Sequence, residues 1–420
     1  MDGTRERSLL DGVREASEAL RPLFEPTPLQ RNDFLSSRHG GEVWLKREDL
    51  SPVRSYKIRG AINAMRKVLA RPGQGPARFV CASAGNHAQG MAFACRHFGV
   101  EGVVFMPVTT PRQKIDKTRL FGGGRVEIRL VGDYFDATLA AAQSFAAEAG
   151  ASFLPPFDDA DVIEGQATCG LEIVEQFSGT PDTVVIPVGG GGLSSGIVGL
   201  LAALAPATAL RFVEPVGGPS LRRSLEARQQ VTLAQVDNFV DGAAVARIGD
   251  RNWDVLKRFA PVDVTLSPEG RICATMVEML NVEGIVLEPA GALAIDALHD
   301  LAPLDGRSVV AIVSGSNFDF ERLPDVKERA LRWEGRKKYY ILRLPQRPGA
   351  LREFLSVLGP DDDISRFEYL KKSARNFGSV LLGIETNARD NFTALEARMR
   401  AAGFTWLDIT EDAVITSLII

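Results

Sequence analysis

Apolar and polar positions along this chain follow two patterns, with a break near residue 331. From about residue 40 to 320, short β-branched or apolar runs at 42–46, 79–81, 102–106, 126–130, 183–188, 210–213 and 308–313 alternate with amphipathic stretches. That alternation predicts βα units on parallel sheets, with glycine-rich turns at the strand ends. Ahead of them, Leu9, Leu10, Val13, Ala16 and Leu20 fall at helical spacing among charges, so 1–22 reads as an amphipathic helix rather than an export signal. Past 331 the basic residues Arg332, Arg336, Lys337 and Lys338 suggest a linker over 331–337. A strand at 338–344 and a turn at 345–349 follow, then a helix with Leu351, Phe354, Leu355 and Leu358 on one face. Strands at 364–370 and 379–386, a helix carrying Phe392, Leu395 and Met399, and a strand at 404–410 complete a βαββαβ order, which is ferredoxin-like α+β. The tail 413–420 is too apolar to stand free and is expected to pack in an interface.

Length narrows the domain count, since 420 residues allow two or three domains with cores of their own. The division expected is 1–330, with a smaller subdomain at about 60–165 inside it, and a C-terminal module at 338–420. A net charge of −4 leaves no electrostatic footprint for nucleic acid or an anionic membrane, which favours small-molecule chemistry. Cys81, Cys95, Cys169 and Cys273 are far apart and form no CxxC pair, which argues for a reducing, cytoplasmic setting and against a disulfide frame or a zinc site. The longest apolar run, 197–205, is well short of the roughly 20 residues that span a bilayer.

Candidate chemistry sits at the turns. Lys57 stands among small and apolar residues between Arg54 and Arg59; nearby cations and partial burial would both lower its pKa and free a neutral amine. A surface lysine at a helix start is the plainer alternative. The turn Ser83, Ala84, Gly85, Asn86, His87 precedes a helical run, so its amides suit an anion such as a carboxylate, and Asn86 adds a hydrogen-bonding side chain. Ser83 or Asn86 could equally cap that helix. Gly189, Gly190, Gly191, Gly192 and Leu193 lie between a strand and a helix, where successive N–H groups can wrap a phosphate. The run is neither a Walker loop nor a dinucleotide fingerprint, and the flanking elements argue against a flexible linker. Ser314, at a strand end, offers a hydroxyl to a ring nitrogen or serves as a turn serine.

A lysine nucleophile, a phosphate cup, an anion loop and a strand-end serine together suit pyridoxal phosphate. Residues 55–61, 83–90, 189–193, 288–292 and 314–317 resemble those of fold-type II pyridoxal-phosphate enzymes, specifically threonine dehydratases, and the likeness runs over about 25–330. It implies two parallel-sheet α/β subdomains, with Lys57 carrying the Schiff base and Asn86 at the ring hydroxyl oxygen. It also implies Gly189 to Leu193 on the phosphate, Ser314 at the ring nitrogen, and Ser83 to His87 on the substrate carboxylate. Tyr56 and Arg54 depart mildly from residues usual in relatives. Around Glu214 a cation is conceivable by likeness to serine racemase, but a solvated acid explains it as well and no metal is expected.

The C-terminal module, with Arg347 to Leu351, resembles the effector-binding ACT-like domain of biosynthetic threonine dehydratases. The expected reaction is therefore deamination of L-threonine to 2-oxobutanoate and ammonia for isoleucine synthesis, in a dimer or tetramer regulated by isoleucine and opposed by valine. A degradative serine or threonine dehydratase, or an amino-acid racemase of the same fold, is the alternative.

Overall fold

The computed structural model describes residues 8–71, 78–370 and 376–412. Contacts divide the chain into two units, 1–269 with 279–319, and 270–278 with 320–420. In the first unit a six-stranded sheet has the spatial order Leu29–Arg31, Glu42–Arg47, Ser308–Val313, Thr183–Pro187, Ala209–Pro215, Val264–Ser267. All neighbours run parallel except the first pair. A second, wholly parallel sheet is ordered Val126–Leu130, Glu101–Met106, Arg78–Ala82, Ser152–Phe153. Three strands escape the sequence pattern, Leu29–Arg31, Ser152–Phe153 and Val264–Ser267, because two to four residues are too few to show a period. Strand Ser308–Val313 is buried at every position, which is why it reads as an unbroken apolar run.

The first unit also holds a cluster of buried charges. Arg59 has no exposed surface and directs Nε to Glu48 Oε2 at 2.7 Å, Nη1 to Glu172 Oε1 at 2.8 Å and Nη2 to Glu172 Oε2 at 2.7 Å. Lys46 donates to the same Glu172 oxygen at 2.7 Å, and the Thr27 hydroxyl donates to Glu48 at 2.6 Å. Burial alone would push the Glu172 carboxyl up, but Arg59 and Lys46 outweigh it and hold the group well below the usual carboxylate range. The cluster ties the segment at Thr27, strand Glu42–Arg47, helix Lys57–Leu69 and helix Ala160–Gln176 to one another.

The second unit is an antiparallel sheet ordered Asp363–Leu370, Phe377–Glu385, Lys337–Pro345, Thr405–Asp408, with helices Ala350–Leu355 and Asp390–Ala401. It is the βαββαβ order read from the sequence, around a core that includes Tyr340, Leu342, Phe354, Leu382, Phe392 and Met399. One helical face differs from expectation. Leu351 and Leu355 are exposed at 44% and 45%, while Ala350, Phe354 and Val357 turn inward, where Phe354 meets Phe404 edge-on at 5.7 Å. A single inward aromatic, with a T-shaped partner, sets the rotation of so short a helix. The basic stretch expected as a linker is divided between the end of helix Leu323–Trp333 and the start of strand Lys337–Pro345. Lys337 is buried there, with its ammonium 2.5 Å from Glu328 and 2.8 Å from Glu385. The tail 413–420 lies outside the described residues.

All four cysteines are free and buried. Burial pushes the Cys95 thiol up to about 12 and the Cys81 thiol higher still. Among the described residues no helix is long and apolar enough to cross a membrane. Replacing Arg59 by Leu leaves two buried carboxylates without their main cation, so urea unfolding at pH 7 should show a loss of about 3–5 kcal/mol. Arg59→Lys should recover only part of that loss, since an ammonium cannot form the fork with both acids.

Candidate active site

Lys57 is the first residue of helix Lys57–Leu69. Its chain segment is held on the large sheet by Tyr56 N–H donating to Ser314 O at 3.2 Å and by a bridge between Ser55 and Gly315. The amine donates to Pro156 O at 2.8 Å and lies 5.3 Å from the centre of the Tyr56 ring. Burial lowers its pKa to about 8, and the Glu288 carboxylate works against that shift. The lowering expected from the sequence is therefore present with a different cause. Arg59 spends its charge on Glu48 and Glu172, and desolvation acts instead of neighbouring cations.

Next to Pro156, Phe157 packs on the glycine run. A methyl group on Gly190 would lie 2.3 Å from the Phe157 ring, and one on Gly192 would lie 2.9 Å from the Phe157 carbonyl oxygen. Gly191 has φ 94°, a conformation side chains disfavour. Helix Gly192–Leu204 begins inside the run, three residues after Gly189. Among the described residues the N–H groups of Gly189, Gly190, Gly191, Gly192 and Leu193 meet no acceptor, although all but Gly189 are buried. Buried donors of this kind are costly unless an anion takes them, and they converge at a helix N-terminus, so a phosphate fits. Asn252 buttresses the loop by donating to Gly190 O at 2.9 Å and Phe157 O at 3.2 Å.

The loop 83–87 opens helix Asn86–Phe98. Neither Ser83 nor Asn86 caps this helix. The Ser83 hydroxyl accepts from Gly85 N–H at 3.2 Å, and Asn86 points away to other partners. N–H groups of Ala84, Asn86 and His87 meet no acceptor among the described residues. The His87 ring is turned to Leu154 O at 2.9 Å; burial, with Lys57 nearby, pushes its pKa down to about 3, so the imidazole is neutral. Asn86 Nδ2 donates to Glu288 Oε1 at 2.7 Å, and Asn86 Oδ1 accepts from Asn317 Nδ2 at 2.7 Å. Ser314 is buried at the end of its strand and donates to Ala290 O at 3.1 Å. Lys57, the loop 83–87, the glycine run and Ser314 are thus linked through Tyr56, Pro156, Phe157 and Asn317, and the three loops follow the carboxyl ends of strands, where α/β folds bind ligands.

Four residues of this region had no role assigned from sequence: Glu288, Asn317, Phe157 and Asn252. Burial and Asp241 push the Glu288 carboxyl up to about 7 against Asn86, Lys114 and Lys117. Glu288 and Asn317 fall within segments that carried the family likeness, which was the available signal. Phe157 and Asn252 left none. Glu214 is fully buried and accepts from Leu221 N–H at 2.7 Å and Arg222 N–H at 2.8 Å, anchoring the start of helix Ser220–Ala227.

Residues 20–315 match the family described as pyridoxal-phosphate dependent enzyme, and residues 328–419 match the C-terminal regulatory domain of threonine dehydratase. With two parallel sheets around a lysine and a glycine loop, this is a fold-type II pyridoxal-phosphate enzyme. The chain is 43% identical to the biosynthetic L-threonine dehydratase IlvA of Bacillus subtilis over 99% of both chains. It belongs to that family of biosynthetic threonine dehydratases. Among solved structures, processed threonine deaminase isoform 2 of Solanum lycopersicum superposes with TM-score 0.71 at 36% identity, over 77% of this chain and 93% of that one. A pyridoxal 5'-phosphate-dependent aspartate racemase superposes with TM-score 0.70 at 25% identity, over 77% and 99%.

The lowered Lys57 pKa has a direct readout. At limiting aldehyde and cyanoborohydride near pH 8, peptide mapping by mass spectrometry should find Lys57 modified ahead of ordinary lysines, whose pKa is near 10.5. The preference should fade as pH drops below 8 and the amine protonates, and Glu288→Gln should shift its onset to lower pH by removing the charge that favours the ammonium.

Proposed function

We propose that this chain converts L-threonine to 2-oxobutanoate and ammonia using pyridoxal phosphate, with Lys57 as the catalytic residue. The observation that carries the reading is a desolvated lysine amine bonded to Pro156 O, next to the Phe157 that packs on a loop whose N–H groups meet no acceptor among the described residues. When bound, the cofactor supplies an electron sink conjugated to the nitrogen of the amino acid. Gly189 to Leu193 hold its phosphate through main-chain N–H groups, and Asn86 donates to its ring oxygen. Ser314 would offer its hydroxyl to the ring nitrogen, and a neutral alcohol there would leave that nitrogen unprotonated, which would favour elimination. The N–H groups of Ala84, Asn86 and His87, with the Ser83 hydroxyl, bind the substrate carboxylate; because His87 is neutral, the loop adds no formal positive charge.

Lys57 would hold the cofactor at Nζ and, as a neutral amine, would accept the proton of the substrate α-carbon at the same atom. The Lys57 ammonium so formed, or the cofactor phosphate, would supply the proton that the departing β-hydroxyl needs. A racemase or a degradative dehydratase would use the same groups up to that point. The regulatory-domain match over 328–419 supports the biosynthetic reading. On that reading isoleucine, opposed by valine, is the effector of a homo-oligomer, and the buried free thiols suit the cytoplasm.

Full-length enzyme loaded with cofactor should release 2-oxobutanoate from threonine, and Lys57→Ala should abolish nearly all of it. Isoleucine should raise the half-saturating threonine concentration several-fold, the effect of a coupling of about 1–3 kcal/mol. Turnover retained by Lys57→Ala would remove the assigned base, and kinetics indifferent to isoleucine and valine would remove the regulatory role.

A further inference from the structure

A chain of hydrogen bonds runs from the smaller subdomain to the residues assigned to the cofactor ring. Lys117, on helix Arg112–Gly122, donates to Asn317 Oδ1 at 2.9 Å. Asn317 is buried, and its Nδ2 donates to Val53 O at 2.8 Å and to Asn86 Oδ1 at 2.7 Å. Asn86 Nδ2 in turn donates to Glu288 Oε1 at 2.7 Å. Each amide could sit either way round by shape, but the surrounding groups allow one direction. An ammonium can only donate and a main-chain carbonyl can only accept, so Lys117 and Val53 together force Asn317 to present its oxygen to the lysine and its N–H groups to Asn86. Asn86 must then offer its oxygen to Asn317 and its nitrogen to Glu288, with one N–H left over.

We propose that Asn317 and Lys117 are positioning residues that set the polarity of the Asn86 amide, so that its remaining N–H, and not its oxygen, faces the ring oxygen of pyridoxal phosphate. This rests on the assignment of Asn86 to that ring oxygen. An N–H there stabilises the ionised ring oxygen, whereas a carbonyl oxygen would repel it. The same helix makes two further contacts across the cleft, Gln113 Nε2 to Phe318 O at 3.3 Å and an ion pair between Lys114 and Asp241. Residues 113, 114 and 117 share one helix face, so the Asn86 amide is oriented only while that helix lies against the larger subdomain.

The test uses full-length protein stripped of cofactor and titrated with pyridoxal phosphate, reading the half-saturating concentration and the position of the long-wavelength absorbance band. Lys117→Met and Asn317→Ala should each weaken binding about tenfold, the worth of one well-placed hydrogen bond, and shift the band; Lys117→Arg, another donor-only cation, should restore both. Lys117 is only half-buried, so its variants keep the test readable should Asn317→Ala fail to fold. If Asn86→Ala alters affinity and band while Lys117→Met and Asn317→Ala do not, the positioning role is overturned and the assignment of Asn86 stands. If Asn86→Ala itself changes neither readout, Asn86 does not face the ring and both readings fall.

Discussion

The rest of the catalytic unit depends on Arg59 being ion-paired away from solvent. A guanidinium taken out of solvent costs several kcal/mol, and here two carboxylates must accompany it, so the cluster is held in place by the penalty for breaking it more than by any net gain in stability. Its partners come from four parts of the chain, and Arg59 lies two residues beyond Lys57 on the same helix. A fixed Arg59 therefore fixes the start of that helix, where the amine emerges beside Pro156. The charge sequestered in this way is also unavailable to the amine, so desolvation is left as the cause of its lowered pKa.

Much of this was legible in the sequence because it is carried by local rules. The long parallel strands announce themselves as apolar runs, and the glycine run lies between a strand and a helix. Distant contacts were not legible. The charges of Lys46, Glu48, Arg59 and Glu172 look like ordinary surface residues until strand Glu42–Arg47 and helix Ala160–Gln176 bring them together. Glu288 and Asn317 meet Asn86 across more than 200 intervening positions, and no periodicity encodes such a meeting. The inward face of helix Ala350–Leu355 was misread for a related reason: two apolar stripes compete over so few residues, and packing against Phe404 decides between them.

In the C-terminal unit the same economy appears with opposite emphasis. Its helices and sheet share one core, and Lys337, buried at its first strand, is paired with Glu328 and Glu385. Burial tends to lower the Lys337 pKa, but Glu328 and Glu385 overcome that and raise it well above the ordinary lysine value. The ammonium thus stays charged through the pH range in which an enzyme of metabolism operates, which makes the first strand of this unit a fixed element rather than a titrating one.

The cysteines carry a consequence for chemical damage. Oxidants and alkylating agents attack the thiolate, and Cys81 and Cys95 are buried with pKa values pushed far above neutrality. Cys81 is on strand Arg78–Ala82 of the smaller sheet and Cys95 on helix Asn86–Phe98, and both belong to one buried core. A folded molecule is therefore nearly invisible to thiol reagents, and the rate at which these two sulfurs react measures how often the core around the smaller sheet opens. Oxidative inactivation by this route waits on unfolding, so what protects the enzyme against oxidants is the same packing that keeps it folded.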